Sequence, residues 1–137
     1  MSIMQTMASC GFAAVSSDIS NAFAQSRKTT RQQKVAATLP PGMKEAGFDV
    51  DPRQLLVAET EVYGLISGPS WLRQSLVADF EALGYERNPY DKCIMTLADP
   101  KAENHLNAGV LLIEVDDILE GGNDQHRNRM EKFYANY

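Results

Sequence analysis

The sequence predicts an α+β domain, an antiparallel sheet with helices packed on one face. Three observations carry that expectation. Apolar runs of strand length recur between turn residues. One stretch, 69–83, repeats its apolar residues at helical spacing. The resulting order of strand, hairpin, strand, helix, strand, strand, helix suits an antiparallel sheet. With 137 residues the chain is the size of one domain, enough to bury about 68–70% of its unfolded surface around a single core.

Taken in order, Gly11-Phe12-Ala13-Ala14-Val15 reads as a short core strand that leads to Asp18, and Ile19, Ala22 and Phe23 continue apolar beyond it. Residues 20–33 are polar and turn-like. Val35-Ala36-Ala37 then runs into Leu39-Pro40-Pro41-Gly42, where helix and sheet both stop. This predicts a hairpin or loop excursion, with Gln54-Leu55-Leu56-Val57-Ala58 as the next strand. From Pro69 to Leu83 the residues Trp71, Leu72, Leu76, Phe80 and Leu83 form a helical stripe that Ser67 or Ser70 would cap and Gly84 would end. Asn88-Pro89-Tyr90-Asp91 is a turn, 93–97 a strand and 99–108 a polar loop. Strand 109–115 is followed by Ile118-Leu119, a turn at Gly121-Gly122, and a last helix capped by Asn123 or Asp124 and running to about Tyr134.

Composition narrows the function. An apolar content of 44% and a charged content of 23% are those of a folded globular protein. No stretch approaches the roughly 20 apolar residues of a membrane span, and the N-terminus lacks the basic region of a signal peptide, so no membrane partner and an intracellular location are expected. Cys10 and Cys93 have no metal-ligand or redox spacing and read as buried thiols in a reducing compartment. His105 and His126 stand alone and read as surface or satisfied histidines. A formal charge of −5 argues against a free-standing nucleic-acid binder. The charge is unevenly spread, however. Arg27, Lys28, Arg31 and Lys34 form a basic run that is either a solvated loop or a nucleic-acid contact, whereas Glu114, Asp116, Asp117, Glu120 and Asp124 cluster near the other end.

Asp116 and Asp117 are the most informative pair. They follow Val110-Leu111-Leu112-Ile113 and precede Ile118-Leu119, which places them at the tip of a buried hairpin. Like charges side by side raise each other's pKa unless a divalent cation keeps both ionised. Asp18, also at a strand end, offers a third ligand. Three such carboxylates would hold two Mg²⁺ ions about 3.5–4 Å apart, with Mn²⁺ as a substitute, and nucleotide phosphates would complete the shell.

At this point the residues resemble a known family, the reverse transcriptase of Ty1/copia-type retrotransposons. Asp18-Ile19-Ser20-Asn21-Ala22-Phe23 is similar to its first catalytic motif, D-x-x-N-A-F, and Leu39-Pro40-Pro41-Gly42-Met43 to its Q-P-P-G-F segment. The run Glu61-Val62-Tyr63-Gly64-Leu65-Ile66-Ser67-Gly68-Pro69-Ser70-Trp71 resembles L-Y-G-L-K-Q-A-P-R-A-W. Leu83 to Cys93 resembles the G-F-x-x-S-x-x-D-x-C stretch, and Glu114-Val115-Asp116-Asp117-Ile118-Leu119 the Y-V-D-D-I-L motif. These motifs stand in the family's order from about residue 11 to 120. Ile66 and Ser67 replace a typical Lys and Gln, and Glu114 replaces a Tyr.

The resemblance implies a polymerase palm that lacks most of the fingers and all of the thumb, connection and ribonuclease H, with little activity alone. It implies Asp18, Asp116 and Asp117 as catalytic ligands of two Mg²⁺ ions, with the Ile19 carbonyl as a further oxygen. Phe23 would be the aromatic gate against a ribose 2′-hydroxyl, and Tyr63-Gly64 would lie along the incoming nucleotide and template. The implied partners are an RNA or DNA template-primer and deoxynucleoside triphosphates. Other readings of the same residues are a non-catalytic palm remnant that binds a partner through 124–134, a metal-dependent nuclease, and a calcium loop from Asp116. The last needs an oxygen ligand where Ile118 stands.

Overall fold

The computed structural model describes residues 2–51, 53–101 and 107–137. Four helices, α1 (Ile3–Cys10), α2 (Ala22–Gln25), α3 (Gly68–Ala82) and α4 (Asp124–Tyr134), accompany seven strands among these residues. The strands are β1 (Val15–Asp18), β2 (Ala36–Thr38), β3 (Leu55–Val57), β4 (Glu86–Arg87), β5 (Ile94–Ala98), β6 (Asn107–Glu114) and β7 (Asp117–Gly122). Five of them form an antiparallel sheet in the order β1-β7-β6-β5-β4, and β2 pairs with β3 in a separate hairpin. The α+β expectation therefore holds. His105 and part of the expected 99–108 loop lie outside the described residues. No helix among the described residues is long and apolar enough to cross a membrane.

The sheet has two unlike faces because its side chains alternate. Met95, Leu97, Leu111, Ile113 and Ile118 point to one face and pack with Leu72, Leu76, Phe80, Met130 and Phe133 of α3 and α4 in a single core. Phe80 stacks on Phe133 with ring centroids 4.3 Å apart and meets Tyr85 edge-on at 5.5 Å. Helix α3 follows the expected stripe, with Pro69 in its first turn. Trp71 is only half-buried and donates its indole N–H to the Arg27 carbonyl at 2.8 Å. The helix ends where Gly84 adopts φ 89°, and the Arg129 guanidinium donates to the Leu83 carbonyl there.

On the opposite face the sequence reading needs correction. Residues 11–15 are not a core strand: Gly11, at φ 68°, terminates α1, and the strand begins at Val15 as a largely exposed edge. Helix α1 was legible in a capping box, with Ser2 Oγ accepting from the Gln5 N–H and Gln5 Oε1 accepting from the Ser2 N–H. Its Met7 is buried against the Gly121 side of β7, so helices cover both faces rather than one. Cys10 and Cys93 are half-buried free thiols rather than core ones.

Gly121 and Gly122 do not turn the chain either; both belong to β7. Gly122 lies opposite Gly109 of β6, and a Cβ at position 109 or 122 would meet the His126 side chain at 2.2 or 2.4 Å. The two glycines open a slot in the sheet that receives the imidazole. Inside it His126 is bonded at both ring nitrogens, by Tyr85 Oη at 2.8 Å and by the Glu120 carboxylate. Glu120 also accepts from Tyr134 Oη at 3.2 Å. Asn123 caps α4 through its side chain, which accepts from the N–H groups of Gln125 and His126.

Gly122→Ala is expected to lose about 1–3 kcal/mol of stability by overpacking this slot, read as a lowered urea midpoint. Alkali supplies a second test. Burial, then the nearby Glu120 charge, pushes the Tyr85 phenol above its ordinary 10.0, and burial, then the bond to Asp79, does the same to Tyr137. A raised folded-state pKa gives stability that is complete below pH 10 and falls as the pH rises beyond it. The urea midpoint should therefore drop above about pH 10, and less steeply in Tyr137→Phe.

Candidate functional site

The candidate site is built by the register of three strands. Asp18 of β1 lies directly opposite Asp117 of β7, which lies opposite Glu114 of β6. Directly opposed residues share a face, and Asp117 precedes Ile118, which is wholly buried in the core. The row Asp18, Asp117, Glu114 thus occupies the face away from α3 and α4. Asp116 is in the two-residue turn Val115-Asp116 and its carbonyl accepts from the Ile19 N–H at 3.1 Å. The hairpin stem is buried as expected, but Asp117 at its tip is exposed and Asp116 half-buried. Water, rather than burial, therefore surrounds the paired charges.

Val115 adopts φ 59°. A β-branched residue in the left-handed region stores strain of order 1–3 kcal/mol, which persists only where the surroundings fix it. The ladder on one side and the Ile19–Asp116 bond on the other provide that fixation.

A cavity of about 460 Å³ opens beside this tip. Asp18, Ile19, Phe23, Tyr63 and Asp116 all line it, together with Asn21, Thr60 and Glu61. Five of the expected site residues therefore meet, although the sequence separates them by nearly a hundred positions. Asp117 and Gly64 do not line it: Asp117 joins through the ladder alone, and Gly64, at φ 92°, turns the loop behind Tyr63. Phe23 and Tyr63 meet edge-to-face, with centroids 5.7 Å apart and planes at 79°. The Phe23 ring comes so close to Gly68 that a Cβ there would lie 3.0 Å from it.

The basic run is organised differently from its expected nucleic-acid role. Arg27 pairs with Asp79 at 2.6 Å, Lys28 with Glu59 at 2.6 Å, and Arg31 with Glu61 at 2.5 Å. Among the described residues Lys34 makes no ion pair; it lines a small cavity with Lys28 and Arg31. Three of the four cations are thus neutralised within the chain. Sequence reasoning missed Glu61, whose side chain is only 2% exposed. Nothing in Glu59-Thr60-Glu61 separates the exposed acid from the buried one, because the partner of Glu61 lies thirty positions earlier.

The donor chemistry fits a hard cation. Among the described residues no three His, Cys, Asp or Glu side chains gather closely enough to hold a metal by themselves. Mg²⁺, however, is bound through one or two carboxylates with waters and substrate phosphates, and Asp18 and Asp116 supply that number. The Ile19 carbonyl already accepts from the Ala22 N–H at 3.2 Å and keeps a second lone pair.

No family model, curated protein or solved structure matches the chain.

Like charges directly opposed on a sheet are destabilising, and Asp117 faces one on each side. Asp117→Asn should therefore melt about 1–4 °C higher than the natural chain when divalent cations are chelated. An unchanged or lower melting temperature would place the three carboxylates too far apart to interact.

Proposed function

We propose that the chain is the palm region of a copia-type RNA-directed DNA polymerase, adding deoxynucleotides to a primer on an RNA or DNA template. One observation carries the reading. Asp18 and Asp116, which stand in two separate motifs of the resemblance, line one cavity together with Phe23 of the first motif and Tyr63 of a third. An antiparallel sheet with α3 and α4 beneath one face and a row of carboxylates on the other also suits a palm.

In this reading Asp18 and Asp116 hold the divalent ions, with Asp117 beside them and the Ile19 carbonyl as an added oxygen. When bound, the ions would acidify the primer 3′-hydroxyl and neutralise the triphosphate. The protein's own part is placement. The β1–β7 ladder fixes Asp18 against the tip, and the Ile19–Asp116 bond sets the distance between the two backbones. Phe23, backed by Gly68, occupies the volume a ribose 2′-hydroxyl would need. Tyr63, 84% exposed, presents an apolar ring to the nucleotide.

The remnant reading has its own observation: with Arg27, Lys28 and Arg31 ion-paired, the basic run near the cavity keeps little free positive charge to track a phosphate backbone. Its proposed partner surface is less favoured, because α4 already turns His126, Met130 and Phe133 into the core.

Calorimetric titration separates the two. A polymerase palm binds a deoxynucleoside triphosphate only with Mg²⁺ or Mn²⁺, and Asp116→Asn or Asp18→Asn should weaken that binding at least about tenfold, or 1.4 kcal/mol. Phe23→Ala should narrow the preference for deoxy- over ribonucleotide. Absence of metal-dependent nucleotide binding by the natural chain would leave the remnant, and cleavage of nucleic acid without nucleotide would point to a nuclease.

A further inference from the structure

The least expected group beside the cavity is Glu61. A carboxylate that is almost wholly buried must be matched by hydrogen bonds and opposite charge, and here every oxygen is engaged. Arg31 Nη2 lies 2.5 Å from both Oε1 and Oε2, Thr29 Oγ1 donates to Oε1 at 3.3 Å, and Ser67 Oγ donates to Oε2 at 3.2 Å. Arg31 Nη2 also donates to Ser67 Oγ at 2.5 Å. Ser67 stands at the N-cap position of α3, yet its side chain caps nothing there. Its hydroxyl serves Glu61 instead.

These bonds close the loop from 61 to 67 upon itself. Inside it, turn bonds from Leu65 N–H to the Val62 carbonyl and from Gly68 N–H to the Leu65 carbonyl complete the ring. The loop carries Val62 and Tyr63 into the cavity wall and brings Gly68 against Phe23. Tyr63 itself is exposed and meets the protein through the edge of Phe23. Where the loop sits thus decides where Tyr63 sits and what the Phe23 ring packs against.

We propose that Glu61, clamped by Arg31 and Ser67, is a positioning residue that sets the Phe23–Tyr63 pair over the cavity, and that Arg31 is spent on this clamp rather than on nucleic acid. Its functional readout rests on the nucleotide reading of the cavity; its structural readout does not. If the clamp served stability alone, replacing the buried carboxylate and its partly buried guanidinium by apolar residues of similar size would leave the cavity unchanged, since such replacements are often neutral. A directional clamp cannot be replaced in that way.

The test uses the full chain with Arg31→Met/Glu61→Leu, Ser67→Ala and Ser67→Thr. Two measurements are made on each: the nuclear Overhauser contact between the Phe23 and Tyr63 rings, and the affinity for Mg²⁺ with a deoxynucleoside triphosphate. The double variant should unfold cooperatively, lose the ring contact and bind nucleotide about tenfold more weakly. Ser67→Ala should weaken both, and Ser67→Thr, which keeps the hydroxyl, should restore both. Should the double variant fail to fold, the Ser67 pair decides. A folded double variant, or a Ser67→Ala chain, that retains the natural ring contact overturns the proposal. If the natural chain binds no nucleotide, the polymerase reading fails, and the ring contact still decides whether Glu61 positions the wall.

Discussion

The register of β7 between β1 and β6 is the constraint from which the rest of the molecule follows. Because side chains alternate along a strand, one choice of pairing sends Ile113 and Ile118 into the core and leaves Glu114, Asp117 and Asp18 in line on the other face. A slip by one residue would bury the carboxylates and expose the isoleucines. Two features hold the pairing. At one end the turn at Val115-Asp116 is only two residues long and accepts a strained φ. At the other, His126 is seated against Gly109 and Gly122, which this register sets directly opposite each other.

Charge is distributed to match. Asp18, Asp116, Asp117 and Glu114 have no cationic partner among the described ion pairs, whereas the cations in the 27–31 stretch are each tied to another acid, Arg31 to Glu61 in the cavity wall itself. The site is therefore electronegative by construction and accommodates a cation more readily than an anion. In the proposed reading a triphosphate would depend on bound metal to enter the site. The rest of the wall mixes the polar Asn21, Thr60 and Glu61 with apolar and aromatic residues, among which Phe23 and Tyr63 contribute shape rather than charge.

Much of this was legible in the sequence, and the failures have physical causes. Helix α3, the hairpin that carries Asp116 and Asp117, the β2–β3 excursion and the Asn123 cap follow from local pattern, because periodicity and capping act within a few residues. The grouping of Phe23 and Tyr63 with Asp18 and Asp116 was implied only by the family resemblance, since no local pattern links positions so far apart. Helix α1 was overlooked although Ser2 and Gln5 form its capping box. The glycines at 121 and 122 were read as a turn because their reason for being small lies in the side chain of His126. Glu61 could not be told from Glu59 for a similar reason, since burial is set by Arg31 and Ser67 through the tertiary fold.

The seat of His126 also ties three positions into one evolutionary unit. While the imidazole is present, neither glycine is free to acquire a side chain; a smaller residue at 126 would deprive Glu120 of its mate but leave both glycines closed, because a Cβ at 109 or 122 would still meet the Cβ of residue 126, and at 122 the Ala108 carbonyl as well. A change at 120 would then trail the change at 126, whereas 109 and 122 would stay glycine through both.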